Sequence, residues 1–442
     1  MKFRQPRVSL FVALALISTA AAGEPVSFRK EIAPLLHRRC ASCHSEDNAK
    51  GGYRLDSFTH LLQKGDSDLA PIAPGKAGDS ELYRLLLESS PEDRMPQKAD
   101  PLPAGELALI ARWINEGAAY DGGKAERPLV ELARETLLRP APEHYARPAP
   151  VTALAFSPDG TQLAVSGYYE VTFWNAETGA LVRRVGGMPE RITALAWHPK
   201  RNLIAVAGGS PSQWGAVLLI DPAAGFQARV LCDLPETALS VAFSPDGKLL
   251  LASAGDRTIR QFDLPGGKQK RLWRQHADWV QSVAFSRDGS RFVSASRDRT
   301  ARVFDLASGE VRATYADHEA PLLAAAFTGS SSVVSASRGQ PLHFWDADSG
   351  SKKGEFVEAA REVQVLLPSG FGLLTGGTDH LVRVQQLSDR RELFALQGHH
   401  DVVESLALDP RGTVFASGAH DGEICIWSLA CGTWLRRFVS SP

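Results

Sequence analysis

Cys40, Cys43 and His44 form the stretch in which residue type and spacing point most directly to a chemistry. Two thiols two residues apart, followed at once by an imidazole, suit covalent attachment of a porphyrin. Each thiol adds to one vinyl group, and the adjoining histidine is carried under the iron as the proximal ligand. The same pair of cysteines also occurs as a redox dithiol or as half of a zinc site. A zinc site of that kind needs a second Cys-x-x-Cys, and the sequence has none. A redox dithiol is expected beside a βαβ pattern, which is missing here. The expected cofactor is one covalently held haem c, with Cys40 and Cys43 as anchors and His44 as an axial iron ligand.

The second axial ligand is open to three candidates. Apart from Met1, the methionines are Met95 and Met188. Met95 lies in Arg94-Met95-Pro96, in a loop ahead of a helical stretch, where a chain can fold back over the distal face of a haem. Thioether ligation there fills the last coordination position and raises the potential. Arg94 is placed to pair with a haem propionate. His37 and His60 are the alternative ligands.

The elements that must position these residues follow from periodicity. Ser27 caps a helix with apolar positions Phe28, Ile32, Leu35 and Leu36, which delivers the chain to Cys40. A Gly-rich loop follows over Lys50 to Leu55. Asp79 or Ser80 opens a second helix carrying Leu82, Leu85 and Leu86. A third runs from about Pro103 to Glu116 with a stripe of Leu107, Ile110, Trp113 and Ile114, and Gly117 stops it. Three helices of this size hold too little core to be stable without a cofactor.

Residues 24–120 resemble the planctomycete-type cytochrome c domain. The resemblance rests on Cys40-Ala41-Ser42-Cys43-His44, Gly51-Gly52-Tyr53-Arg54-Leu55-Asp56, Pro74-Gly75-Lys76, Arg94-Met95-Pro96 and Trp113-Ile114-Asn115-Glu116-Gly117-Ala118. It implies covalent haem on Cys40 and Cys43, with His44 and Met95 as axial ligands. Pro103 departs from the family's usual serine helix cap, which bears on helix entry and not on ligation.

Lys2, Arg4 and Arg7 precede an apolar run from Val8 to Ala22 that ends in small residues, the pattern of a secretory leader cut after Ala22. The run is short for a membrane span, and no later stretch is apolar for long enough. The expected product is soluble and periplasmic, the compartment in which haem of this type is attached. The net charge of −1 over 442 residues gives no electrostatic footprint for nucleic acid. Cys425 and Cys431 are expected to stand too far apart along a strand to form a bridge. With Cys232 they are expected to be unpaired thiols, mostly packed as small apolar side chains.

Residues 121–150 turn to Gly, Pro and charge, with Arg139-Pro140-Ala141-Pro142 and Arg147-Pro148-Ala149-Pro150, and read as a semi-rigid spacer with a short helix over Leu129–Leu138. After Val151 a unit recurs every ~42 residues. Its first strand appears as Val151–Phe156, Ile192–Trp197, Leu239–Phe243, Val280–Phe285, Leu322–Phe327, Val363–Leu367 and Val402–Leu408. Ser157–Gly160 and Ser244–Gly247 are Ser-Pro-Asp-Gly turns, and third strands end at Phe173-Trp174, Phe262-Asp263, Phe304-Asp305, Trp345-Asp346 and Ile426-Trp427. These units resemble WD repeats and imply seven blades. The family's bracing His and turn Asp are matched by His276 with Asp298 and by His399 with Asp421. His318 has no such Asp, and the sixth unit is eroded. Thr433–Val439 supplies the last blade with its own outer strand, which argues against strand exchange at closure. The histidines are read as structural braces.

The fold class is therefore multidomain: a leader (1–22), a small all-α c-type cytochrome domain (23–123), a Pro-rich linker (124–150) and an all-β seven-bladed WD-type propeller (151–442). On one propeller face the turns bring together Tyr168, Tyr169, Trp214, Arg257, Trp279, Arg297, Arg299, Arg338 and His380, with Trp214 on an insertion over Gly208–Gly215. Arginine and exposed aromatic residues favour docking, although Asp-Arg-Thr turns are also common in such blades. The leading expectation is one-electron transfer by the haem domain, with the propeller docking a redox protein partner or acting as scaffold. An oxidoreductase whose propeller binds substrate, and a redox- or gas-responsive scaffold, are the alternatives.

Overall fold

The computed structural model describes residues 24–440 apart from 42, 47, 98 and 357–362. The leader and Ser42 of the dithiol motif thus lie outside the described residues. Ser27 caps the first helix as expected, its Oγ accepting from the Lys30 amide at 3.1 Å. The helix opens with a wide turn, Phe28–Ile32, before α1 (Ala33–Cys40). Pro34 explains the widening. Its ring would crowd the Lys30 carbonyl in a tight α-turn, and it has no N–H to donate. Phe28, Ile32, Leu35 and Leu36 are all buried. A two-residue hairpin, β1 (His44–Ser45) with β2 (Asn48–Ala49), follows the dithiol. Next come α2 (Phe58–Leu61), α3 (Glu81–Leu86) and α4 (Ala104–Asn115). The α2 turn, capped by Ser57, has no counterpart in the periodicity because four residues are too few to show one. Ser80 precedes α3 without capping it: its Oγ donates to the Lys76 carbonyl and accepts from the Ala73 amide, tying down the loop instead.

The segment expected to be a spacer is packed on both sides. Helix α5 (Leu129–Leu137) places Leu129 and Leu132 in the helical core with Phe28, Ile32 and Trp113. Val130, Leu137 and Leu138 pack on Phe173, Met188 and Trp214 of the β domain. Charged pairs flank these apolar contacts, Arg29 with Glu135 and Arg134 with Asp233. The Leu129 amide donates to the Asp56 carbonyl at 2.7 Å. Farther on, Tyr145 and Arg184 converge on Glu170, a carboxylate with 0% exposure; Arg184 donates to it at 2.8 and 2.9 Å and Tyr145 at 2.5 Å. A buried carboxylate persists only when it is satisfied in this way, so the Pro-rich chain is bolted to the sheet it leads into.

The β domain begins with β3 (Leu154–Phe156), β4 (Gln162–Ser166), β5 (Tyr168–Asn175), β6 (Leu181–Trp197), β7 (Ile204–Ser210), β8 (Trp214–Asp221) and β9 (Gln227–Leu234). β6 is 17 residues long and belongs to two sheets, as outer strand of the first blade and inner strand of the second. Five separate four-stranded antiparallel sheets follow, spanning Ala238–Trp273, Val280–Tyr315, Leu322–Phe356, Val363–Leu396 and Val403–Val439. Together they make a seven-bladed propeller. Apolar clusters fill the gaps between neighbouring blades. Leu374, Val382, Phe415 and Trp427 join blades six and seven, and Val293, Tyr315, Val333 and Trp345 join blades four and five.

Hydroxyls on inner strands stitch the first five blades in sequence and the seventh to the first. Thr152 donates to the Ile192 carbonyl at 2.5 Å and Thr193 to the Ala238 carbonyl at 2.6 Å, while Ser240 and Ser282 accept from the Val283 and Ala325 amides. Ser405 closes the ring by donating to the Val151 carbonyl at 2.5 Å, and Ser440 reaches the Ala149 carbonyl at 2.8 Å. The last blade keeps its own outer strand, Trp434–Val439, so closure is side by side. A Cβ on Gly418 would lie 2.3 Å from Val151 Cγ1, so only glycine admits the returning chain there.

The bracing histidines divide. His276 Nδ1 donates to Asp298 Oδ2 at 2.8 Å and its Nε2 accepts from Ser294 at 2.7 Å, as expected. His318, without an aspartate, is held by Ser337 at 2.9 Å and Ser335 at 2.8 Å. The expected pairing of His399 with Asp421 is corrected. His399 Nδ1 faces Glu423 at 3.4 Å, because Glu423 occupies the place taken by Thr300 in the fourth blade.

Two predictions follow from this packing. Leu132→Ala, at 0% exposure in the helical core, is expected to cost about 2–5 kcal/mol in urea unfolding. For Asp298, burial alone raises the carboxyl pKa, but hydrogen bonds from His276, Thr300 and the Ala277 amide outweigh it and hold the group well below the ordinary value of 3.8. Its folded-state contribution is therefore complete above that value and fades as pH falls through it. Asp298→Asn should be about 1–3 kcal/mol less stable than the parent at pH 7, with the difference shrinking below about pH 4 in parallel unfolding curves.

Candidate functional site

Of the residues expected to hold a haem, Cys40 and Met95 both pack against the helical core. Helix α1 ends on Cys40, and a turn closed by the Cys43 amide on the Cys40 carbonyl (3.1 Å) carries the chain to His44. None of the five cysteines is bridged. Burial, with Cys43 adding to it, pushes the Cys40 thiol up to about 12, which disfavours the thiolate a redox dithiol relies on. Of the three remaining thiols, Cys425 is buried and Cys232 half-buried as expected, whereas Cys431 is exposed on the final turn.

Tyr53 sets the orientation of His44. The imidazole Nδ1–H donates to the Tyr53 carbonyl at 3.2 Å, and the two rings meet edge to face with centroids 5.5 Å apart. The Tyr53 hydroxyl is itself anchored on the Leu61 carbonyl at 2.9 Å. A histidine whose Nδ1–H is bound to a backbone carbonyl carries its lone pair on Nε2, the arrangement typical of metal-ligating histidines. Burial keeps the ring neutral by lowering its pKa. Behind Tyr53 the loop doubles back tightly: Gly52 has φ +64°, and a Cβ there would lie 2.2 Å from Asp66 Oδ1.

Met95 is half-buried against the same core, with its amide bonded to the Leu85 carbonyl at 3.0 Å. Beside it, Arg94 Nε is buried and has no hydrogen-bond partner among the described residues. A cation left waiting in this way suits a propionate. Tyr53, Leu82, Tyr83 and Leu107 lie half-buried around the same core and offer apolar edges to a flat cofactor. The residues present therefore fit a haem: two thiols, an oriented imidazole, a thioether and an arginine whose buried Nε has no partner among the described residues. Of the alternative ligands, His60 is bonded through one ring nitrogen, and His37 has a buried Nε2 with no hydrogen-bond partner among the described residues. His60 Nδ1 bonds Asp56 at 2.6 Å. His37 is buried one turn before Cys40, within electrostatic reach of Asp233 on the propeller, and desolvation lowers its pKa to about 4.

The propeller face places most of the expected docking residues together. Tyr169, Arg257, Arg299 and His380 occupy one equivalent turn position in four blades, all with φ between +60° and +70°. Arg297 and Arg338 are exposed on the same turns, and Tyr168 is exposed beside Tyr169. The Arg297 guanidinium stands 4.7 Å above the Trp279 ring. Trp214 is the exception and is corrected. It is 1% exposed, with Nε1 donating to Asp233 at 3.2 Å. What read as an insertion is a lengthened β7–β8 hairpin, and its tryptophan is the floor on which α5 rests. Sequence reasoning also missed Tyr53 as the support of His44, since a backbone carbonyl carries no residue signature.

Comparison with known proteins agrees with this division. The family profile described as "Planctomycete cytochrome C" matches residues 40–98. That described as "WD domain, G-beta repeat" matches 138–175, 235–263, 267–305 and 390–428. Among curated proteins, the chain is 35% identical over 95 residues to the sterol regulatory element-binding protein cleavage-activating protein of Xenopus laevis, covering 21% of this chain and 7% of that one. It is 34% identical over 124 residues to the ribosome biogenesis protein WDR12 homolog of Chlamydomonas reinhardtii, covering 24% and 27%. It is 22% identical over 388 residues to the transcriptional corepressor LEUNIG_HOMOLOG of Arabidopsis thaliana, covering 84% and 42%. The chain thus spans less than half the length of each of these relatives. Among the described residues no helix is long and apolar enough to cross a membrane. The cytochrome c family implies haem, and with the dithiol loop and the blades in place the chain is a planctomycete cytochrome C domain followed by WD40 repeats.

Proposed function

We propose that this protein is a periplasmic electron carrier holding one haem c through Cys40 and Cys43, with His44 and Met95 as axial ligands and the propeller as its docking module. The observation that carries the reading is the His44 ring, oriented by the Tyr53 carbonyl so that Nε2 is the ligating nitrogen, directly after the two thiols. When bound, the haem supplies a one-electron couple between ferric and ferrous iron. The protein residues do the rest. Cys40 and Cys43 would hold the haem at the end of α1, and His44 and the Met95 thioether would ligate its iron. Arg94 compensates a propionate charge, and the apolar rim of Leu82, Tyr83 and Leu107 excludes water. Two protein ligands to the iron would leave no position for substrate, which favours electron transfer over oxygen or peroxide chemistry.

The docking half of the proposal rests on the shared face of Trp279, Arg257, Arg297 and Arg299, exposed or half-buried on adjoining turns. Non-glycine residues in the left-handed region carry a cost, so a repeated choice of arginine there favours use of the side chain. Such a face suits a redox partner with an acidic surface. The ion pair of Arg134 on α5 with the propeller's Asp233 supports a rigid coupling between the carrier and its docking module.

Exported protein should be red and heavier than the bare polypeptide by one haem. Its ferric form should show a sulfur-to-iron charge-transfer band, lost in Met95→Ala, and only the variant should bind carbon monoxide readily when reduced. A colourless product, or parent protein that takes up carbon monoxide at once, overturns the proposal. Arg297→Glu combined with Arg299→Glu is expected to slow electron transfer to an acidic redox protein by at least about tenfold at low salt, measured by stopped flow, and to abolish most of its salt dependence.

A further inference from the structure

The seventh blade breaks the pattern of the others at one point. In the third and fourth blades the residues after the turn aspartate run Thr258 with Arg260 and Thr300 with Arg302, and in the third the arginine closes back on Asp256 at 2.8 Å. At the matching positions the seventh blade has Glu423 and Cys425, two residues apart and so on one face of their strand. Both are buried between blades six and seven, and His399 is buried opposite them.

Two donor atoms of this cluster make no hydrogen bond. His399 Nδ1 and Glu423 Oε2 are buried, on residues 8% and 7% exposed, and neither has a hydrogen-bond partner among the described residues. They stand 3.4 Å apart without hydrogen-bond geometry, and His400 Nδ1 lies 3.6 Å from the same Glu423 oxygen. Ser417 accepts from Trp427 Nε1 at 2.7 Å and lies 2.6 Å from His399 Nε2. A hydrogen from Nε2 to that oxygen leaves the lone pair on Nδ1, aimed at the carboxylate. Two ligands each about 2.1 Å from a tetrahedral zinc stand about 3.4 Å apart. A ring nitrogen of His399, a Glu423 oxygen and Cys425 Sγ all lie within 4.8 Å of one another.

We propose that His399 Nδ1, Glu423 Oε2 and Cys425 Sγ bind a zinc ion between blades six and seven, with the fourth position facing Asp421 and His400. The surroundings suit it. Arg437 holds the other Glu423 oxygen, which orients Oε2 toward the site as second partners of metal ligands do. Cys425 thiolate, Glu423 and Asp421 carry three negative charges, balancing zinc and Arg437. Binding expels the Cys425 proton to solvent, and His400, exposed at the rim, marks the route of entry. Zinc combines a taste for thiolate, imidazole and carboxylate with four-coordinate geometry. It would lock the blade that closes the ring.

The full-length protein, equilibrated with zinc chloride against a weak competing chelator, is expected to retain about one zinc per chain. X-ray absorption at the zinc edge should show one sulfur neighbour at about 2.3 Å. Cys425→Ala and Glu423→Gln should each lose that equivalent, and zinc should raise the melting temperature of the parent but of neither variant. Cys40 and Cys43 are common to all three proteins, so the difference isolates the seventh blade. Equal zinc content in parent and Cys425→Ala overturns the proposal, as does a parent that retains none. Should Cys425→Ala not fold, the comparison with Glu423→Gln decides in the same way.

Discussion

The structure depends on α5 being apolar on two sides. Leu129 and Leu132 complete a helical core that is otherwise small, while Val130, Leu137 and Leu138 seal the first two blades of the propeller. A domain of about 100 residues made of short helices and long loops buries little surface for its size, and α5 adds to it the rigidity of a much larger neighbour. The Arg134–Asp233 and Arg29–Glu135 pairs lie at the edges of that packing and set its register. Because α5 lies along the wide turn and α1, the helix that ends on Cys40 is fixed relative to the propeller. Any group held by the dithiol is fixed with it.

That rigidity bears on the chemistry proposed. Electron transfer is favoured by a ligand set that does not rearrange. Each proposed ligand is braced from behind: His44 by the Tyr53 carbonyl, Tyr53 by the Leu61 carbonyl, and Met95 through its amide on Leu85. Arg94 differs in having a buried nitrogen with no partner among the described residues. A buried nitrogen without a partner is costly, and its position beside Met95 gives that cost a use if a propionate completes it.

The propeller shows how repeats tolerate local departures. Hydroxyls on inner strands join most of the blades, so the ring survives the loss of an aspartate in the fifth blade, where Ser337 and Ser335 hold His318. The departure in the seventh blade is of another kind. Glu423 and Cys425 replace neutral and cationic neighbours with acids, leave two buried donor atoms facing one another, and draw Arg437 in from the outer strand. It falls on the blade that meets Val151 and closes the ring, where an added tie has the most effect on the whole domain.

Much of this was legible from residue order alone. A chemical motif such as Cys40, Cys43 and His44 is local, and so is the ~42-residue period that yields seven blades; neither needs a fold to be seen. Helix positions in the first domain also followed from apolar spacing, though Ser80 and the four-residue α2 escaped it. What the sequence could not decide was which side of an element meets which neighbour. Trp214 read as an exposed aromatic on an insertion, and the chain from 124 to 150 read as a spacer. Only tertiary packing showed the tryptophan as the floor and α5 as the wedge upon it. His399 likewise matched a bracing pattern, and only the folded seventh blade turned it from Asp421 toward Glu423. The reason is physical. Composition and period record the local preferences of the chain, whereas burial and pairing arise from surfaces that meet across long separations in sequence, as Trp214 and Asp233 meet α5.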